Sequence, residues 1–475
     1  MKRRAFIKNV ALIGSGLIAS NYLPASVTIS NKKKIKGRVL SNGKGIANVV
    51  ISDGYNVMVT DKNGKYEFDP HQDAVAVFIS TPSGFDFKNQ NGISRHYYLL
   101  NDIKSKKSIE FELEPLNKND DDHQFIIWAD PQVKNEKDVE KMMTQSVPDV
   151  QKIIAAAGAG TLIHGITVGD IVWDELQLFA EYNKAVEQMK IPFFQCLGNH
   201  DMDYNKGGDE ASDDTFQKTY GPTYYSFNRG QVHYVVMDNV RYLGKDREYD
   251  GFIQQNQLDW LQKDLSFVPK EKLIVLCLHI PVHSGTKNKE DLYALLQDRN
   301  VHIMSGHTHY HVNTIRDNIF EHNHGTVCGA WWTGPICEDG TPCGYGVYKV
   351  KGTELSWHYQ STGKPTEHQM KMYASDYSQS EKQITVNIWN SDPEWKTAYW
   401  LDGVEKGALE QFEGFDPLAY KNFLGPDLPK PRGFAEPKKT KHLFKTMVPS
   451  STKEIKVVAT DRFGKKYTEI LNPVT

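Results

Sequence analysis

The sequence predicts an α/β protein, with a central domain of alternating strands and helices between two β-rich modules. Three observations lead there. Between about residues 124 and 352, apolar runs of strand length alternate with amphipathic helical stretches. The segments on either side show short alternating runs broken by turn residues and little helical periodicity. At 475 residues, the chain is also longer than one ordinary hydrophobic core accommodates.

Taken in chain order, residues 1–26 read as an export signal. Met1–Lys8 (MKRRAFIK) is a basic n-region, and the apolar or small stretch Val10–Ser20 is too brief to span a bilayer. The RRAFIK run resembles the twin-arginine motif, with Lys2 where Ser or Thr is usual. Cleavage near Ala25 is expected, and no cysteine near the end of the h-region offers a lipoprotein attachment point. These features predict an exported, periplasmic protein whose mature chain has no transmembrane helix.

Residues 33–116 contain KIKGRVL, ANVVISD, YNVMVTD, GKYEFDP and AVAVFISTP, separated by turn signals. This stretch resembles a transthyretin-like β-sandwich. A polar linker (NKNDDDH) follows. In the central domain, 124–352, the strands are FIIWAD, LIHGITVGD, FFQCLGN, HYVVMDN, LIVLCLH and VHIMSG. Helices are expected over Asp138–Ala157, Glu175–Met189, Gln254–Phe267 and Lys289–Arg299. Residues 353–475 are β-rich and aromatic, with ITVNIWN, TAYWLDG and EIKVVATDRFGKKYTEI as strands.

Charge and cysteine content narrow the possibilities. A formal net charge of -3 gives no global attraction to nucleic acid or an anionic membrane, so neither is implied as a partner. Of the five cysteines, Cys196 and Cys277 sit in apolar runs as buried thiols. Cys328, Cys337 and Cys343 cluster, and an oxidising compartment would permit one disulfide among them. None has the paired CxxC spacing of a zinc or redox site.

The chemistry lies at the strand ends. Asp130-Pro131-Gln132, Gly169-Asp170, Gly198-Asn199-His200-Asp201, His279 and Gly306-His307-Thr308-His309 each fall where an apolar run stops. Open α/β sheets place their ligands at such ends. Carboxylate, imidazole and amide oxygen together suit manganese, iron or zinc better than calcium. Asp170 is suited to bridge two such cations. A metal pair roughly 3.5–4 Å apart can clamp the attacking and leaving oxygens of an in-line displacement.

In order and spacing, these blocks resemble the calcineurin-like metallophosphoesterase family, with its D-x-H, GD, GNH-[DE], H and GHxH pattern. The flanking segments resemble the accessory domains of one bacterial branch. The resemblance implies a four-layer αββα sandwich and a cofactor of two divalent ions. Asp130, Gln132, Asp170 and His309 would hold one ion. Asp170, Asn199, His279 and His307 would hold the other. A hydroxide between them would attack phosphorus, with His200 assisting the leaving oxygen. Either Asp201 or Asp174 is placed to orient His200. Gln132 departs from the family's usual His. An amide oxygen is a weaker ligand and cannot titrate, which favours a looser site or a harder ion.

Other residues admit two readings. Trp331 and Trp332 are either packed in a core or form a wall of the substrate pocket, and Tyr345 joins them as a candidate substrate contact. The Glu338–Pro342 turn would then lie over the metals, fixed by Cys337 and Cys343. His164, His233 and His302 read as structural because they lie within strands. His283, His311, His322 and His324 could line the cleft or the surface. The expected substrate is a small-molecule or glycan-linked phosphate ester, the two-metal core being common to monoester, diester and pyrophosphate hydrolysis. A second reading, an exported binding or scaffold module with a weakened metal site, rests on Gln132 and the flanking β modules.

Overall fold

The computed structural model describes residues 34–103, 108–430 and 432–473. The expected export signal lies outside them. Among the described residues, no helix is long and apolar enough to cross a membrane.

Two large sheets form the centre. One has seven strands and contains Asp122–Trp128, Ile163–Val168 and Phe193–Cys196 as parallel neighbours. The other has six, with Val232–Val236, Leu273–Cys277, Val301–Ser305 and Ile319–Asn323 parallel in that order. Their inner faces share one core. Phe194 of the first sheet stacks on Phe227 of the second with ring centroids 3.7 Å apart. Each such buried ring contributes about 1.5–3 kcal/mol over its exposed state.

The outer faces pack on helices. Ile126, Trp128 and Phe193 meet the helices Val147–Ala156 and Phe179–Met189, and the second sheet meets Gln255–Leu265 and Lys289–Leu296. The result is a four-layer α/β/β/α arrangement. Strands buried on both faces explain why they read as continuous apolar runs. The helices fall close to their expected spans. The first begins at Glu136 because the Asn135 side chain accepts from the amides of Lys137 and Asp138.

The flanking modules are β-rich, as expected. The first module encloses its own core between two four-stranded sheets. The last encloses Ile384, Val386, Ile455 and Val457 between two more. The C-terminal boundary of the central domain differs from the sequence reading. Glu354–Ser361 pairs antiparallel with Gly344–Lys351 inside the seven-stranded sheet, so a division at 352 cuts a hairpin. At the other edge, Ile93–Ser94 of the first module pairs with Phe193. Two-residue strands carry too little periodicity to be foreseen.

Candidate metal centre

The parallel strands of both sheets deliver the site. Asp130, Asp170 and Asn199 follow the ends of three strands of the first sheet, and His279 and His307 follow two of the second. The chain must turn at once to keep these side chains in place. Outside Asn and Asp, the described non-glycine residues with positive φ are Gln132, His307, His309 and Trp331 at this site, Trp332 next to it in the core, and Lys190 at a helix end. Such backbone is costly, and it clusters where function over-determines it.

Two motif glycines are there for close approach. A Cβ on Gly198 would lie 2.0 Å from the Asp170 amide nitrogen, and one on Gly306 would lie 2.3 Å from Asp130 Oδ2. The amide of His307 donates to Asp130 Oδ2 at 2.9 Å, and that of His200 donates to Asp170 Oδ1 at 2.9 Å.

The side chains present acceptors to one another. His279 Nδ1 donates to the Val168 carbonyl at 2.9 Å, which turns Nε2 towards the site. That Nε2 lies 3.0 Å from Asn199 Oδ1, 3.2 Å from Asp170 Oδ1 and 3.2 Å from His307 Nδ1. His309 is held in the same manner by the Gly329 carbonyl, 2.6 Å from Nδ1, and its Nε2 lies 3.6 Å from Asp130 Oδ1. Asp170, His279 and His307 place ligand atoms within 4.8 Å of one another. Gln132 Nε2 donates to Asp170 Oδ2 at 3.1 Å, while its Oε1 is buried without a partner. An orphaned buried acceptor beside converging lone pairs is a cation's environment, so these residues fit a metal pair.

Electrostatics agree. Burial alone would lower the His279 pKa, but the Asp170 and Asp130 carboxylates raise it to about 9. Burial dominates at His307 and His309, whose pKa values fall to about 3 and about 4, and pushes Asp130 up to about 8. Two imidazoles are thus held neutral as ligands require, while His279 carries a proton beside the Asp170 carboxylate that a bound cation would displace.

His200 stands at the mouth, its Nδ1 2.7 Å from Asp174 Oδ1, and Arg247 pairs with the other oxygen of Asp174 at 2.5 Å. Burial lowers the His200 pKa, but Asp170 and Asp174 outweigh it and raise it. Asp174 is therefore the partner of His200. Asp201, expected as catalytic, faces away and accepts from the amides of Ile171, Val172 and Gly198 at 3.1, 3.1 and 2.9 Å. Its role is to join two ligand loops.

Other expectations are also corrected. Tyr345 is fully buried on the helix side of its strand, where it donates to Asp149 at 2.8 Å. The period of two sends Tyr345 and Val347 away from the inter-sheet core that Tyr348 enters. Trp332 is core, its indole N–H donating to the Pro131 carbonyl at 3.0 Å. Trp331 remains at the site, stacked on His309 at 4.2 Å. The Glu338–Pro342 turn lies buried between the His309 carbonyl, to which the Glu338 amide donates at 3.1 Å, and the last module, where Asp339 Oδ2 is 2.9 Å from His442 Nε2. Cys328, Cys337 and Cys343 are free thiols, as are Cys196 and Cys277.

His164, His233 and His302 are buried. His311, His322 and His324 are buried too, not on the surface, and their rings bond Asn390, His302 and Tyr348. His283 is half-buried beside Glu321 at 3.1 Å. Sequence reasoning missed Trp173, whose ring centroid lies 5.3 Å from that of His200, and Phe434, which packs on Trp173 and Trp331. Trp173 was within reach, three residues past the Gly-Asp block.

Residues 125–311 match the family model for calcineurin-like phosphoesterase, residues 33–116 that for its N terminal, and residues 321–467 that for its C terminal. The three lie end to end over most of the chain, which belongs to the calcineurin-like phosphoesterase family.

No curated protein matches significantly. Among solved structures, a dimetal phosphatase from Danio rerio is 14% identical, covering 50% of this chain and 98% of its own, with a TM-score of 0.34. A purple acid phosphatase from yellow lupin (Lupinus luteus) seeds is 12% identical, covering 76% of this chain and 69% of its own, with a TM-score of 0.38. Both scores are too low to inform the site.

Proposed function

We propose that this chain hydrolyses phosphate esters with two divalent ions, manganese, iron or zinc, and uses His200 as the acid for the leaving oxygen. The observation that carries this reading is the convergence of Asp170, His279 and His307 beside the orphaned oxygen of Gln132. When bound, the ions would supply Lewis acidity and lower the pKa of a ligated water.

The protein's own contribution is positional. Asp130, Gln132, Asp170 and His309 would hold one ion, and Asp170, Asn199, His279 and His307 the other. The carbonyls of Val168 and Gly329 fix the two imidazole tautomers. Asp174 binds His200 at Nδ1 and leaves Nε2 free to pass a proton to the departing oxygen. Asp170 and Asp174 raise the His200 pKa, which favours its protonated form.

Metal-stripped protein refilled with manganese, zinc or iron and assayed on p-nitrophenyl phosphate tests this. Turnover should depend on metal, and His200→Ala should reduce it by about 10²- to 10⁴-fold with metal content unchanged. Equal turnover in the variant, or none with two ions bound in either protein, would refute the assignment.

We also propose export, supported by the basic n-region and short apolar h-region of residues 1–26. N-terminal sequencing of protein from a periplasmic fraction should begin near residue 26. An uncut Met1 terminus in the cytoplasm would oppose it.

A further inference from the structure

The last module reaches the metal centre through one loop, between helix Pro417–Phe423 and strand Lys439–Pro449. That loop is anchored on both sides of Phe434. Arg432 is buried and pairs with Asp138 Oδ2 at 2.6 Å. Ala435 is fully buried against Ala330, Ile336 and Phe423, and the Glu436 amide donates to Glu338 Oε1 at 3.0 Å. Between these fixed points, Phe434 stays 52% exposed. A half-exposed phenyl ring held on an anchored loop forgoes burial that a group covering it would restore.

Its position suggests what compensates. The Phe434 ring centroid lies 5.6 Å from that of Trp173 and 5.1 Å from that of Trp331, in edge-to-face contact with both. Trp173 neighbours His200, and Trp331 stacks on His309. The three rings thus form one aromatic corner that touches the proposed proton donor on one side and a proposed metal ligand on the other. Lys134 Nζ, 4.5 Å above Trp173, closes its rim with positive charge.

We propose that Trp173, Trp331 and Phe434 form the leaving-group subsite, and that it takes a planar aromatic ring attached to the scissile phosphate ester. This rests on the hydrolase reading for the word "leaving", but the ring preference stands or falls on binding alone. The last module then supplies part of substrate recognition.

Calorimetry on the metal-refilled full chain tests it with benzylphosphonate against cyclohexylmethylphosphonate, which has similar bulk and no planar face. The planar ligand should bind roughly two- to tenfold tighter, the range of an aromatic pair. Phe434→Leu should bring that ratio towards one, and Phe434→Tyr should restore it. Equal binding of the two ligands, including no binding of either, overturns the proposal. So does a ratio that survives Phe434→Leu, or an equal loss for both ligands. A ring preference in protein that turns over no ester leaves the subsite standing and removes the hydrolase reading instead.

Discussion

Gln132 concentrates the chemical question at the level of single side chains. Its amide nitrogen spends itself on Asp170 and its oxygen is left buried with no donor. Leaving a buried acceptor unpaired costs about 1–3 kcal/mol, so the geometry makes sense when a cation completes it. An amide oxygen is a harder and weaker ligand than imidazole. Gln132→His should therefore tighten zinc at this position by about tenfold and shift the preference away from manganese, as read by competition with a chromophoric chelator. Unchanged zinc affinity would mean that Gln132 does not ligate.

The ligand loops explain both what the sequence revealed and what it hid. Each motif block was legible because parallel strands buried on both faces end abruptly, and the polar residue after the apolar run marks the end. What a side chain does there was less legible. Asp201 and Asp174 are equivalent as letters, yet one caps three amides while the other holds His200. Only the path of the Gly169–Asp174 loop past Asp201 distinguishes them. Asp201→Ala would strand three buried amides, so a loss on the order of 3 kcal/mol in unfolding free energy is expected by urea titration. Metal should leave along with it, in contrast to His200→Ala. A stable variant that keeps its metal and loses only turnover would return Asp201 to the chemistry.

Across the whole molecule, the last module is fastened to the catalytic domain by a buried polar lock. Asp339 accepts from the His311 amide at 2.8 Å and from Thr341 Oγ1 at 2.9 Å, and contacts His442 Nε2 at 2.9 Å. His442 Nδ1 in turn meets Asn387 Oδ1 at 2.7 Å, and Asn387 donates to Asp416, the cap of helix Pro417–Phe423. The contact that joins the two halves, Asp339 with His442, was not legible in sequence, because its partners come from separate modules and share no periodicity. The lock holds the loop that carries Arg432 and Phe434 to the site. Leaving a buried polar group without its partner costs about 1–3 kcal/mol. Asp339→Ala should therefore loosen the last module while the central sandwich, with its own core, persists. Hydrogen exchange should accelerate over Lys439–Pro449 and the preceding loop and stay slow over Leu273–Cys277. Uniform acceleration would mean that the chain unfolds as one unit. Unaltered exchange would mean that the remaining contacts, among them Arg432 with Asp138 and Asn390 with His311 and Asn313, hold the module without the lock.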